Sequence, residues 1–191
     1  MHPDVAQVME ELDMHRAKYE DFCRSLQKDE LALPVPNSTW IVKDFISHLA
    51  TIDGPVETMF RNVHTGAGGA FERSGDEKWN VDSWNDHMVE VRRDKSVDEI
   101  LAEAAATRAT LRQAMSDFTQ KDLDYEMVFG GDSKRPAGKV LLGQYLRGWC
   151  KHDPMHAVDM MRAMPGRMTP ELAAWFDDPV IAGYQAQMNK A

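Results

Sequence analysis

Four stretches of this chain repeat apolar residues at spacings of three and four, and strand-like alternation is scarce. A stripe of that period covers one face of a helix and cannot be buried alone, so the four must pack together. The first runs Val5, Val8, Leu12, His15, Tyr19, Phe22 and Leu26, and the second Ile41, Phe45, His48, Ile52, Val56, Met59 and Val63. The third is Val97, Ile100, Ala104, Leu111, Ala114 and Phe118, with Thr107 or Arg108 in its gap. The fourth is Leu142, Tyr145, Trp149, His152, His156, Met160 and Ala163.

The punctuation agrees. Pro34 and Pro36 separate the first two stripes, and Asn37, Ser38 and Thr39 offer N-cap side chains. Ser96, with Glu99 three residues later, predicts a capping box. Gly130, Gly131, Pro136 and Gly138 mark the link into the fourth helix, and Pro165-Gly166 closes it. The link over residues 64–95 holds Gly66, Gly68, Gly69, Gly75, Trp79 and Trp84 and is too long for a tight hairpin. The predicted fold is all-α, a four-helix bundle with one long crossover connection over residues 1–165. A short helical tail, 166–191 with Trp175, Phe176 and Pro179, is expected to pack on it as an appendage.

With 191 residues the chain suits a single domain. Its 22 Lys and Arg against 31 Asp and Glu leave a net charge of −9, which repels phosphate and argues against nucleic acid and anionic lipid as partners. No window nears the roughly 20 apolar residues of a membrane span, and the acidic start, Met1 to Glu10, does not read as a secretory signal. Cys23 and Cys150 are too few for a disulfide framework and read as reduced thiols of a cytoplasmic protein. The Trp-rich crossover and the tail offer apolar surface on which a homodimer can form.

Histidine falls where leucine is expected. A buried imidazole carries a donor and an acceptor, each costing about 1–3 kcal/mol if unmatched. His152 and His156, four apart, share one helix face with Cβ atoms about 5–6 Å apart, and His48 lies on the core side of another helix. Three neutral imidazoles suit a divalent ion with open positions; the same residues also admit three separately satisfied core or surface histidines. Around them, His15 lies on the first stripe as a fourth ligand, a substrate-binding group or a packed core residue. Asp153 orients a ligand imidazole or caps a helix, and Asn85 and His87 in the crossover overhang the site or stay on the surface. Cys150 points off the ligand face and His64 and His2 read as surface residues. The methionines Met59, Met160 and Met164 read as packing.

Two motifs carry a resemblance. Trp40-Ile41-Val42-Lys43-Asp44-Phe45-Ile46-Ser47-His48-Leu49-Ala50 and His152-Asp153-Pro154-Met155-His156-Ala157 resemble the W-x-V-K-D-x-x-x-H-L-A and H-D-x-x-H-A patterns of the DinB-like superfamily. That superfamily includes thiol-dependent S-transferases and the metal domain of mycothiol-dependent maleylpyruvate isomerases. The segment from Trp84-Asn85-Asp86-His87 through Arg93 to Leu101 is similar to its crossover and third-helix start, and the resemblance spans roughly residues 1–165. It implies a metal, commonly zinc or nickel, held by His48, His152 and His156, and it does not imply DNA binding. Two positions depart from the pattern. Ile41 replaces the usual Ser or Thr cap, so Asn37, Ser38 or Thr39 must supply it. Pro154 costs about 3 kcal/mol inside a helix, so the fourth helix either kinks there or restarts with Asp153 as N-cap and Pro154 at its first position.

An ion at such a site lowers the pKa of bound water or binds a thiol and deprotonates it. The resemblance favours the second, with a low-molecular-weight thiol as cosubstrate and a small electrophile as substrate. The leading expectation is a divalent-metal-dependent thiol S-transferase or thiol-dependent isomerase with no assignable general base. The alternatives are a small-molecule binding or sequestering protein that catalyses nothing and a metal-free helical dimer.

Overall fold

The computed structural model describes residues 1–68, 81–129 and 137–188. Gly69, Gly75, Trp79, Gly130, Gly131 and Pro136, which punctuate the two long links in the sequence, lie outside the described residues. The first rod is a single helix, α1 (Pro3–Ser25), and its whole stripe from Val5 to Leu26 is buried. After the short α2 (Lys28–Leu31), a turn with Asn37 at φ +61° leads into α3 (Val42–Leu49) and then α4 (Asp53–Thr65). The crossover contains α5 (Val81–Glu90), which packs on α3. The third rod is α6 (Val97–Met115), and the expected Ser96–Glu99 capping box is formed. A short α7 (Gln120–Leu123) and a hairpin, β1 (Glu126–Phe129) with β2 (Gly138–Leu141), precede α8 (Leu142–Trp149) and α9 (His152–Arg162). The tail is a 3₁₀ turn at Pro165–Arg167 followed by α10 (Pro170–Phe176) and α11 (Pro179–Met188), both packed on α9.

The fold is thus the four-helix bundle with a crossover, with local departures from the sequence reading. The hairpin was not anticipated. Its strands pair antiparallel from Glu126 opposite Leu141 to Phe129 opposite Gly138. Within β1 Met127 is buried and Val128 exposed, but four residues are too few for alternation to stand out in the sequence. The cap of α3 does not come from Asn37, Ser38 or Thr39. Asp44, in the first turn, reaches back and accepts the Ile41 N–H at 3.0 Å, while Ser38 Oγ accepts the Trp40 N–H in the turn before. An acid at the third helical position satisfies the N-cap N–H, the reciprocal of the first-turn N–H that a capping hydroxyl would take.

The second and fourth rods are each broken. The second breaks at residues 50–52, between α3 and α4, and the fourth at 150–151, between α8 and α9. The freed Ala50 carbonyl accepts from Thr107 Oγ1 of α6 at 3.1 Å. Helix α9 restarts with Lys151 as N-cap, two residues before the expected Asp153, so Pro154 is its third residue. There a missing N–H belongs to the first turn, which has no intrahelical partner anyway, and Pro154 costs the rod no internal hydrogen bond.

The core has two apolar halves. One gathers Tyr19, Phe22, Phe45, Ile46, Leu49, Ile100 and Met160; the other gathers Val5, Leu12, Met59, Phe60, Leu111 and Leu146. Met59, Met160 and Met164 are buried packing residues. On the fourth rod the most buried line is Leu142, Leu146, Cys150, Asp153, Ala157 and Met160. The stripe Tyr145, Trp149, His152, His156 runs beside it and is only half-buried. Polar atoms on these rings hold that face at the edge of the core, and this edge is where the site lies.

Candidate metal centre

Both breaks place a histidine at a helix end. His48 lies in the last turn of α3, and His152 opens α9 with His156 one turn on. Across the gap the rings meet edge to face. His48 is 4.9 Å from His156 and 5.5 Å from His152 between ring centres, and His152 is 4.6 Å from His156. One ligating nitrogen from each of the three falls within 4.8 Å of the others. His152 Nε2 and His156 Nε2 are 3.1 Å apart. Two imidazole nitrogens sharing one ion at about 2.0–2.1 Å sit roughly 3.0–3.4 Å apart, so the spacing of this pair suits a common ion.

The surroundings set which nitrogen carries the proton. His156 Nδ1 lies 3.0 Å from Asp159 Oδ2. A carboxylate only accepts, so Nδ1 carries the proton and the lone pair of neutral His156 sits on Nε2. His48 Nδ1 lies 3.2 Å from Asn85 Oδ1 of α5, which holds the same tautomer. His152 stacks on Trp149 at 4.4 Å. Burial, followed by the neighbouring His156 and His48 and then Arg108 and Arg16, holds His152 well below the usual histidine range. It therefore stays neutral, as a ligand must. Trp40 beside His48, Phe45 beside His156 and Trp149 beneath His152 wall the cluster with aromatic rings.

Behind the histidines lies a layer of four buried charges, one from each rod. Asp153 takes a bidentate pair from Arg16 of α1, Nε to Oδ2 and Nη2 to Oδ1, both 2.9 Å. Arg108 of α6 reaches Asp53 Oδ2 at 2.6 Å and Asp153 Oδ1 at 3.3 Å. All four residues are at most 6% exposed. The two carboxylates sit in the first turns of α4 and α9, where helix dipoles favour negative charge. Burial raises the Asp153 pKa, but Arg16 and Arg108 outweigh it and hold the carboxyl below its usual range. Burial likewise opposes the charge of Arg108, and Asp153 and Asp53 outweigh it, so the guanidinium is held more firmly protonated than usual.

Of the residues singled out in the sequence, the structure brings His48, His152, His156 and Asn85 together. Asp153 neither orients an imidazole nor caps α9; it is committed to the two arginines. His15 lies outside the converging group: its Nδ1 accepts from Trp175 Nε1 at 2.9 Å, and Lys151 Nζ is 3.4 Å from Nε2. His87 is exposed, two residues past Asn85 and so on nearly the opposite face of α5. His64 pairs with Asp122 at 3.3 Å, and His2 caps α1. Cys150 is buried against Glu11 and the Arg147 carbonyl; burial, with Glu11 beside it, pushes its thiol up to about 12. Asp159, Tyr184, Arg16, Asp53 and Arg108 escaped the sequence reading. A carboxylate three residues after a candidate ligand was the available signal for Asp159. Arg108 stood in the third stripe as an unexplained gap-filler, whereas Arg16 and Asp53 follow stripe residues by one position, with no periodic signature.

Residues 12–161 match the family described as the Mycothiol maleylpyruvate isomerase N-terminal domain. Among solved structures, the mycothiol-dependent maleylpyruvate isomerase superposes with a TM-score of 0.61 at 13% identity, over 91% of this chain and 70% of that one. A histidine-to-alanine mutant of that enzyme gives 0.62 at 12% identity with the same coverage. At these identities the likeness concerns the fold. No curated protein sequence matches the chain.

Proposed function

The chain belongs to the mycothiol maleylpyruvate isomerase N-terminal domain family, and from that premise we propose that it is a divalent-metal-dependent enzyme acting with a low-molecular-weight thiol on a small electrophile. His48, His152 and His156 hold the ion, zinc or nickel. A divalent ion there supplies a Lewis acid that favours the thiolate form of a bound thiol. The observation that carries the reading is the convergence of three imidazole nitrogens within 4.8 Å, two of the rings held by acceptors on Nδ1.

The chain's own residues do the rest. Asp159 and Asn85 keep the Nδ1 protons of His156 and His48, so both Nε2 lone pairs stay directed at the ion. Trp149, Trp40 and Phe45 limit ring rotation and water access. Neither cysteine supplies the attacking sulfur: Cys23 and Cys150 are buried, and burial pushes both thiols up to about 12. The thiol is therefore a cosubstrate, a reading supported by the mycothiol dependence that the structural relatives carry in their names. S-transfer leaves that thiol bonded to the electrophile; thiol-dependent isomerisation releases it again.

Elemental analysis of protein purified without chelators tests the premise. One ion per chain, absent from the triple variant His48→Ala, His152→Ala, His156→Ala, is the expected result. An ion retained by the triple variant, or none in the parent, refutes the site. Turnover of maleylpyruvate and of halogenated electrophiles with mycothiol, bacillithiol and glutathione then separates an isomerase, a transferase and a binding protein.

A further inference from the structure

The hydrogen-bond chain behind His156 does not end within the bundle. His156 Nδ1 lies 3.0 Å from Asp159 Oδ2, and the hydroxyl of Tyr184, on α11, donates to the same oxygen at 2.5 Å. The other Asp159 oxygen lies 3.5 Å from Arg162 Nη1. Asp159 is 2% exposed, so partners rather than solvent fix the orientation of its carboxylate. The Tyr184 ring stands edge-on to His156, with centres 6.1 Å apart.

We propose that Tyr184 is a positioning residue of the metal centre, holding the Asp159 carboxylate in the orientation that keeps His156 Nε2 aimed at the ion. This rests on the metal reading above. An aspartate three residues after a histidine shares its helix face, yet its carboxylate can still rotate away. A second donor on the same oxygen, from a separate element, removes that freedom. The element is itself anchored. Trp175 of α10 is buried and bonded to His15, Lys151 lies 3.1 Å from Asp178, and Ile181 of α11 is fully buried. Tyr184, three residues past Ile181, shares its face of α11 and is delivered to Asp159 as part of that docking. The family match ends at residue 161, so this contact is supplied from outside the matched segment. The tail is then part of the site.

The test is Co²⁺ affinity of the chelator-stripped full chain, measured against a competing chelator, together with the visible spectrum of the Co²⁺ form. Losing a carboxylate that orients a ligand histidine typically weakens metal binding about 10–100-fold, expected here for Asp159→Ala, and about 3–10-fold is expected for Tyr184→Phe, which acts through it. Tyr184→Phe should also shift the visible bands. Arg167→Ala removes a different tail contact, to the Ser25 carbonyl and Glu30, and should leave affinity and spectrum unchanged. Tyr184→Phe indistinguishable from the parent, with Asp159→Ala weakened, overturns the inference alone. Equal weakening in Tyr184→Phe and Arg167→Ala also overturns it, because general loosening of the tail then explains both. A parent that takes up no Co²⁺ overturns it together with the metal reading.

Discussion

His152 and Asp153 are chain neighbours that belong to opposite kinds of polar assembly. The histidine cluster lies at the edge of the core, His48 buried and His152 and His156 half-buried, with one ring nitrogen of each within 4.8 Å of the others. The charge layer behind it is closed: two arginines and two aspartates, net neutral, each nearly or fully buried. The division of labour follows the rods. The two broken helices contribute histidines and aspartates from their ends, and the two continuous helices contribute the arginines from their middles. A helix end offers an unpaired first turn that welcomes a carboxylate, while a mid-helix position has a satisfied backbone and suits a long side chain reaching across. One assembly pairs its charges with one another inside the core, and the other sets imidazoles at the core's edge, where the proposed ion would bind.

Asp153→Ala should break this comparison most severely. It leaves Arg16 without its bidentate partner inside the core, and removing one member of a buried ion pair costs about 3–5 kcal/mol. Denaturant unfolding should show that loss, whereas His156→Ala, at the edge, should cost far less. Adding Arg16→Met to Asp153→Ala should recover part of the stability, because the remaining Arg108–Asp53 pair is again neutral. A double variant no more stable than Asp153→Ala refutes the view that uncompensated charge is the cost.

Zn²⁺ should have the next largest effect, and through the histidines alone. An ion present at 100 times its dissociation constant stabilises by about 2.7 kcal/mol, roughly 5–10 °C in Tm for a chain of this size. The shift should vanish in His152→Ala. A Zn²⁺-dependent shift retained there would place the ion elsewhere.

The two assemblies also differed in how much of them the sequence disclosed. The stripes, the crossover and the Ser96–Glu99 box were legible because each is a local pattern with a fixed period or spacing. The histidines were legible because a polar ring in an apolar stripe is conspicuous. The charge layer was not, since its members lie 37 to 137 residues apart and only the breaks at residues 50–52 and 150–151 bring them together. Those breaks were themselves hidden. Pro154 hinted at one, and nothing in Ala50-Thr51-Ile52 marked the other, because the stripe runs on through it. Tyr184 lay beyond the family pattern, on a tail that periodicity could describe only as packing.

Acidification should separate the assemblies again, in the ion-free protein. His152 is held below its unfolded pKa of about 6.5, so between the two values the unfolded chain binds more protons than the folded one. Stability is full above about 6.5 and falls as pH drops through that window toward the depressed folded value. Asp153, held below about 3.9, contributes stability that is lost only at still lower pH. His152→Gln should flatten the first fall and leave the second in place. A first fall that persists in His152→Gln assigns it to another group.

The smallest expected effect concerns the thiols, and it bears on which side of the comparison supplies reactivity. Cys150 is on the closed side, in the most buried line of the fourth rod, and Cys23 is buried in the core beside Tyr19. Burial comes first in raising both, to about 12, so at pH 8 only about one thiol in ten thousand is ionised, and the thiolate is the reactive form. Iodoacetamide at that pH should leave the folded protein unmodified by mass while alkylating both residues in denaturant. The double variant Cys23→Ala, Cys150→Ala should retain any thiol-dependent turnover. Turnover that disappears with Cys150 while the protein stays folded would move the nucleophile from the cosubstrate into the chain, and with it the boundary between the region that packs and the region that reacts.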